Sequence, residues 1–292
     1  MVREFTTAIS NFSIAKVDSK GRISIPIALR AKLNLLEGTR VKIVLNKGKL
    51  IIIPKNIEQR YERKKKTIGI LGGMGPEASA EVYMKIINFC QKKYGAREDK
   101  DYPRIVINSI PAPPMIDNLE VEKDLLKALI DGVKNLEISG ADFIIISCNT
   151  AHYFLDKLKK QISIPILSII EETVKRVRKK KLKQIGLLAT TTAVKLYEKE
   201  LNRFGINIVT PDEKYQNDIV EIIKRIVAGE KLRKDKIKLK KIIYCLKRNG
   251  AKGIILGCTD LPIIVKKNNF DIEIFDTTKI LAEAAVDRAY GE

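Results

Sequence analysis

The chain has 292 residues, is 45% hydrophobic and carries 55 Lys or Arg against 35 Asp or Glu, a net charge of +20. That length accommodates two domains, or one two-lobed domain and a small module; four cysteines without a Cys-x-x-Cys pair, and a single histidine, argue against a disulfide framework and a structural zinc site. No apolar run is long enough for a membrane span, and the start MVREFTTAISNFSIAKVDSKG lacks the apolar core of a signal peptide, so the expected location is cytoplasmic.

The charge is uneven. Residues 1–66 hold 16 Lys or Arg and 5 Asp or Glu, a net of +11; residues 67–292 hold 39 and 30, a net of +9. More than half of the excess lies in less than a quarter of the chain, which points to a polyanion partner for the N-terminal segment. A generally lysine-rich composition is the plainer explanation.

In residues 13–55, Ser19-Lys20-Gly21-Arg22 is a turn between two short strand-like runs, and Ile23 and Ile25 alternate with Ser24. Pro26 opens a helical run at its favoured first position. Gly38-Thr39 is a second turn, and Val41–Leu45 and Leu50–Ile53 flank Asn46-Lys47-Gly48-Lys49, a hairpin signal. About 45 residues make too small a core to stand alone, and obligate dimerisation is the natural remedy. The stretches Lys16-Val-Asp-Ser-Lys-Gly-Arg22, Ile25-Pro26, Leu29-Arg30 and Gly48-Lys-Leu-Ile-Ile-Ile-Pro54 resemble the swapped-hairpin, AbrB-like DNA-binding domains. The resemblance implies two chains interleaving their hairpins into one small β-barrel dimer module, with Lys16, Lys20, Arg22 and Arg30 facing DNA phosphates. A dimerisation module that binds no DNA is the alternative. The expected division is 1–55 for this domain, 56–66 (NIEQRYERKKK) for a basic linker and 67–292 for the rest.

Residues 67–292 alternate strand-like and helix-like segments: strand Thr67–Gly72, helix Pro76 to about Lys93, strand Arg104–Asn108, helix Leu119 to about Ser139, a strand ending at Cys148, a helix from about Thr150 and strand Ile164–Leu167. The pattern restarts with strand Lys183–Ala189, helix Thr192–Phe204, strand Ile206–Val209, helices near 216–227 and 234–248, a strand ending at Cys258 and strand Ile272–Phe275. Such alternation predicts parallel sheets with helices on both faces. Ile68-Gly-Ile-Leu-Gly matches Ile185-Gly-Leu-Leu-Ala, and GADFIIISCNTAH (140–152) matches GAKGIILGCTDLP (250–262), so the two sets read as duplicated lobes facing across a cleft.

Ligands of open parallel sheets sit beyond the carboxyl ends of the strands, where Cys148 and Cys258 fall, 110 residues apart. A helix start after each is expected to lower the thiol pKa, and Asn149, Thr150 and Thr259 add polar groups. Two thiols on opposite sides of one carbon, one a thiolate and one protonated, are the minimum equipment for inverting a stereocentre. A cysteine at a strand end is otherwise a small apolar residue, as Cys90 and Cys245 on helical apolar faces are read. His152 reads as a packing residue near the site, and Glu77 as a carboxylate at a helix start.

Ile68-Gly-Ile-Leu-Gly-Gly-Met-Gly-Pro-Glu-Ala-Ser79, Ser147-Cys-Asn-Thr-Ala-His152, Gly186-Leu-Leu-Ala-Thr190, Gly257-Cys-Thr-Asp260 with Pro262, and Asp276-Thr-Thr278 resemble the pyridoxal-phosphate-independent aspartate/glutamate racemase family. The resemblance implies two pseudo-symmetric α/β lobes with the active site between them, no cofactor, and two-base racemisation by Cys148 and Cys258. It places the substrate α-carboxylate near Met74, Asn149, Thr150 and Thr259. Two departures stand out: Met115 occupies the place of the arginine that grips a distal carboxylate, which methionine cannot do, and Asp260 stands where glutamate is commoner. Lys231, otherwise a solvated lysine, is the expected substitute for the arginine. The expected function is an amino-acid racemase, aspartate first, joined to a DNA-binding module in a homodimer or higher oligomer. The alternatives are a metabolite-sensing transcriptional regulator and a racemase or isomerase of another small acid.

Overall fold

The computed structural model describes residues 17–27, 30, 35, 41–46, 49–54, 65–113, 119–265 and 270–292. The chain divides into two compact units, Met1–Lys64 and Lys65–Glu292.

In the first unit Asp18 closes a tight turn. Its Oδ1 accepts from the backbone N–H groups of Lys20 and Arg22, each at 2.9 Å, and its Oδ2 accepts from Arg22 Nε at 2.8 Å. Gly21 takes φ +74°, a left-handed conformation that favours glycine, and Val17 bridges antiparallel to Ile23. Strands β1 (Val41–Asn46) and β2 (Lys49–Pro54) pair antiparallel with Asn46 opposite Lys49, the hairpin that the two apolar runs predict.

The second unit contains two all-parallel sheets. The first is built from β3 (Ile68–Gly72), β4 (Ile105–Ser109), β5 (Phe143–Ile146) and β6 (Ile166–Leu167), in the order β4-β3-β5-β6. The second is built from β7 (Gln184–Leu188), β8 (Asn207–Val209), β9 (Gly253–Leu256) and β10 (Glu273–Asp276), in the order β10-β9-β7-β8. Read from the other edge this is the same order, so the sequence repeats correspond to a repeated topology.

Helices α1 (Pro76–Tyr94), α4 (Ile169–Lys179), α5 (Thr191–Asn202) and α9 (Thr277–Tyr290) share one apolar core with inward residues of both sheets, among them Ile70, Ile145, Leu187 and Ile255. Helix α2 (Leu119–Ile138) and the short α3 (Leu155–Lys159) cover the outer face of the first sheet, against Leu71, Ile144 and Ile146. Helices α6 (Glu213–Val227) and α7 (Arg233–Arg248) cover the outer face of the second, against Ile254 and Leu256. Strand residues alternate between the faces, both of which are covered, and this explains the unbroken apolar runs.

Two helices go beyond the sequence reading. Helix α4 begins at Ser168, whose side chain accepts from the Glu171 N–H. Helix α9 begins at Asp276, whose Oδ1 accepts from the Lys279 N–H at 3.0 Å. The C-terminal end of α9 returns to the first lobe, where Tyr290 stacks on Tyr94 of α1 with ring centroids 3.9 Å apart. Lys85 of α1 pairs with Asp276 at 2.9 Å in a partly buried setting. The lobes are therefore joined by packing and charge as well as by the chain. Cys90 is fully buried in the shared core, whereas Cys245 on α7 is only half-buried.

Candidate active site

Strand β3 ends in a loop with little room for side chains. A Cβ on Gly72 would lie 2.6 Å from Ser79 Oγ, and one on Gly73, at φ +98°, would lie 2.0 Å from the Ile110 carbonyl oxygen. Ser79 Oγ accepts from the Gly73 N–H at 3.0 Å and lies 2.9 Å from Ser147 Oγ, tying this loop to the residue before Cys148. Across the lobes, a Cβ on Gly75 would come within 3.2 Å of Asp260 Oδ1. Half-buried Met74 thus sits in a loop bordered by the segments that carry both cysteines.

Cys148 follows β5 and is half-buried; Cys258 follows β9 and is buried. Each cysteine begins a weak helical segment, not a full helix. Thr150–Phe154 is a 3₁₀ turn leading into five-residue α3, and α8 (Leu261–Ile264) has four residues. The expected lowering of the thiol pKa is overturned. Burial pushes Cys148 up to about 11, although the N–H groups of Ala151 and Thr150 and the Thr150 hydroxyl pull it down. Burial also raises Cys258 well above its ordinary value, reinforced by the negative charges of Asp260 and Cys148. Local amides act in the expected direction on Cys148, but desolvation outweighs them.

The two thiols have different neighbours. Cys148 has the Ala151 and Thr150 N–H groups and the Thr150 hydroxyl beside it, opposed by the Asp260 charge, whereas Cys258 has one such amide, that of Asp260. The Cys258 thiol donates to Asp260 Oδ2 at 3.5 Å. Asp260 is buried, and burial raises its carboxyl to about 6, with Glu77 adding repulsion. Cys148 is thus the better-stabilised thiolate and Cys258 the thiol with an acceptor beside it.

Three hydrogen bonds close the lobes around this region. Tyr197 OH donates to Asn149 Oδ1 at 2.8 Å, Asn149 Nδ2 donates to Thr277 Oγ1 at 3.3 Å, and Thr150 and Thr190 hydroxyls meet at 2.9 Å. Asn149 is consequently a buried bridge between lobes whose amide uses its oxygen and one of its two hydrogens in these bonds. Thr259 is buried beside Cys258. His152 accepts from the Ile169 N–H through Nε2 at 3.2 Å, so its Nδ1 carries the proton donated to the Cys148 carbonyl at 2.8 Å. Burial lowers it to about 4. It is a neutral brace for the Cys148 loop, as its place in the sequence suggests.

Lys231, beyond α6, forms an ion pair with Glu77 at the start of α1. Both side chains are roughly two-fifths exposed, at 42% and 43%. Tyr197 joins the site without having been singled out in the sequence, and Asp260, Thr190 and Thr277, which lie in the family motifs, join it without having been given a site role. The Asp two residues past Cys258 and the Thr190 and Asp276 helix caps were the available signals. Lys20, Arg22 and Arg30 are exposed in the first unit, with Arg22 held by Asp18. Met115 and Lys16 lie outside the described residues.

Paired parallel sheets with matched strand-end thiols define a two-lobed α/β protein of racemase type. The Asp/Glu/Hydantoin racemase family model matches residues 71–285, and the chain belongs to that family. The model of MazE, a bacterial antitoxin described as an antidote-toxin recognition protein, matches residues 14–60. A broad specificity amino-acid racemase, RacX, from Bacillus subtilis is 34% identical over 221 residues, covering 75% of this chain and 96% of the relative. The Picrophilus torridus aspartate racemase structure is 28% identical with a TM-score of 0.66, covering 77% of this chain and 94% of its own. An aspartate racemase homologue from Pyrococcus horikoshii is 30% identical with a TM-score of 0.65, covering 77% of this chain and 99% of its own.

Proposed function

We propose that the chain is a cofactor-independent amino-acid racemase that uses Cys148 and Cys258 as its two proton-transfer groups. The observation that carries this is the asymmetric pair at matched strand ends: Cys148 beside the Ala151 and Thr150 donors, Cys258 against Asp260, each thiol within reach of the Asp260 charge. The Cys148 thiolate removes the α-proton, and the Cys258 thiol returns one from the opposite face. The reverse reaction exchanges the roles. Asp260 holds the Cys258 proton when that group must serve as base.

Ionising a thiol with a pKa near 11 at pH 8 costs about 4 kcal/mol. The substrate ammonium, brought into a buried site, offsets part of that. Met74, Asn149, Thr150 and Thr259 border the space for the α-carboxylate, and Lys231 exchanges Glu77 for a distal carboxylate. Aspartate is the first substrate, and neutral amino acids enter the same panel because Lys231 already has a partner. Chiral chromatography of single-enantiomer amino acids incubated with the protein tests the activity. Either Cys148→Ala or Cys258→Ala lowers the rate by at least ~10³-fold, the scale of a lost general acid or base, with substrate binding retained. Wild-type rates in both variants refute the two-thiol reading.

The N-terminal unit is proposed as a dimeric DNA-binding module with a swapped hairpin. Val17 and Ile27, 62% and 77% exposed, are apolar surface that a second chain would cover. Lys16, Lys20, Arg22 and Arg30 face the phosphates.

A further inference from the structure

The outer face of α7 is chemically unlike the rest of the second unit. Its 16 residues, RKDKIKLKKIIYCLKR, carry eight Lys or Arg and one acid. That acid, Asp235, is buried and takes both hydrogen bonds of the Arg225 guanidinium. No carboxylate of the helix therefore faces outward. Lys238 and Lys247 are neutralised by Asp218 and Asp271. Among the described residues, Lys240, Lys241 and Arg248 have no carboxylate within ion-pair distance. These three line an open groove of about 420 Å³ with Tyr215, Ile237 and Tyr244.

The basic surface continues beyond the helix. Arg248 ends α7 at the N-terminal edge of the second sheet, where the Lys252 N–H bonds the Gln184 carbonyl and the Lys183 carbonyl accepts from Asn207. Lys181, Lys183 and Lys252 are all exposed there. Lys181 even holds φ +56°, a conformation that favours glycine. The thiols lie at the opposite, C-terminal edge of the sheets.

We infer that this face, from Lys240 and Lys241 through Arg248 to the N-terminal edge of the second sheet, docks the phosphate backbone of duplex DNA while leaving the thiol edge open. The charge is complementary to a polyanion, and the stripe from Ile237 to Arg248 runs about 17 Å along the helix, several phosphate spacings. Stacking of unpaired bases fits less well: the Tyr244 ring already has Lys240 5.9 Å from its centroid and Phe270 at 6.3 Å, tilted by 50°. Insertion into a lipid surface fits less well too, because Ile237 is the face's one exposed large aliphatic side chain. The choice of duplex DNA rests on the proposed reading of the N-terminal unit; the positive face itself does not.

The test is the salt dependence of full-length protein binding to a mixed-sequence 30-base-pair duplex, read by fluorescence anisotropy. Lys240→Glu/Lys241→Glu/Arg248→Glu flattens the log–log slope by about 2.7, three phosphates at 0.9 each, with the wild-type thermal melt retained. If that variant fails to fold, the Lys240→Gln/Lys241→Gln/Arg248→Gln variant is expected to give the same slope. A separate Lys20→Glu/Arg22→Glu variant reports the N-terminal unit. An unchanged slope in the folded α7 variant, with the N-terminal variant abolishing binding, overturns this proposal and keeps the other reading. The α7 effect without an N-terminal effect does the reverse. Tighter binding to a single strand or to phosphatidylglycerol vesicles than to the duplex also overturns it.

Discussion

Asp260 and His152 are buried titratable groups whose effects on stability oppose each other. His152 falls from its ordinary 6.5 to about 4, so the unfolded chain binds the extra proton between those values. Its contribution is fully present above pH 6.5 and is lost as pH falls toward 4, about 3 kcal/mol in all. Asp260 rises from 3.8 to about 6, so the folded chain binds the extra proton. Its contribution is present below pH 3.8 and is lost as pH rises through 6, again about 3 kcal/mol. The two nearly cancel. Denaturant unfolding between pH 4 and 6.5 therefore shows little net dependence on this pair in the wild type. Asp260→Asn makes stability rise with pH over that window, and His152→Gln makes it fall. Two flat variant profiles contradict the assignments. Asp260→Asn also removes negative charge from both thiols and so shifts the pH profile of their alkylation by iodoacetamide to lower pH. Cys148 and Cys258 were legible in the sequence because their context repeats. The direction of their pKa shifts was not, because burial between lobes depends on contacts far apart in the chain.

At the scale of elements, the strand-end loops and the lobe-bridging helices carry the account. Gly73 faces the Ile110 backbone at a left-handed φ, so Gly73→Ala displaces the loop; a loss of more than about 1 kcal/mol in stability, with a rise in substrate KM, is expected in denaturation and kinetic assays. Tyr197→Phe removes the buried hydroxyl that holds Asn149. It lowers stability by about 1–2 kcal/mol and weakens substrate binding, as calorimetry checks. The sequence showed most strands and long helices, since apolar runs and helical periodicity are local signals. Helices α4 and α9 carried local signals too: Ser168-Ile-Ile-Glu171 is a capping pattern, and Asp276-Thr-Thr precedes an Ala-rich run. What no local pattern records is that α9 packs back on α1, because that contact joins opposite ends of the racemase unit.

At the scale of the whole molecule, the chain joins a family-defined racemase unit to a MazE-type N-terminal unit. Exposed Val17 and Ile27 predict that the N-terminal unit associates. Ile27→Asp shifts the full chain toward smaller species in sedimentation velocity, and an unchanged distribution contradicts a swapped interface there. The family was legible from five ordered motifs, each set by a strand end or helix cap, while the basic outer face of α7 emerged only once Asp235 proved to point inward. The central claim, two thiols acting from opposite sides of one carbon, is tested most directly by racemisation in deuterium oxide stopped at low conversion. Deuterium at the α-carbon of the product enantiomer, with the recovered substrate unlabelled, is the result expected. Equal label in both enantiomers from the earliest times means that one group both removes and returns the proton, and contradicts it.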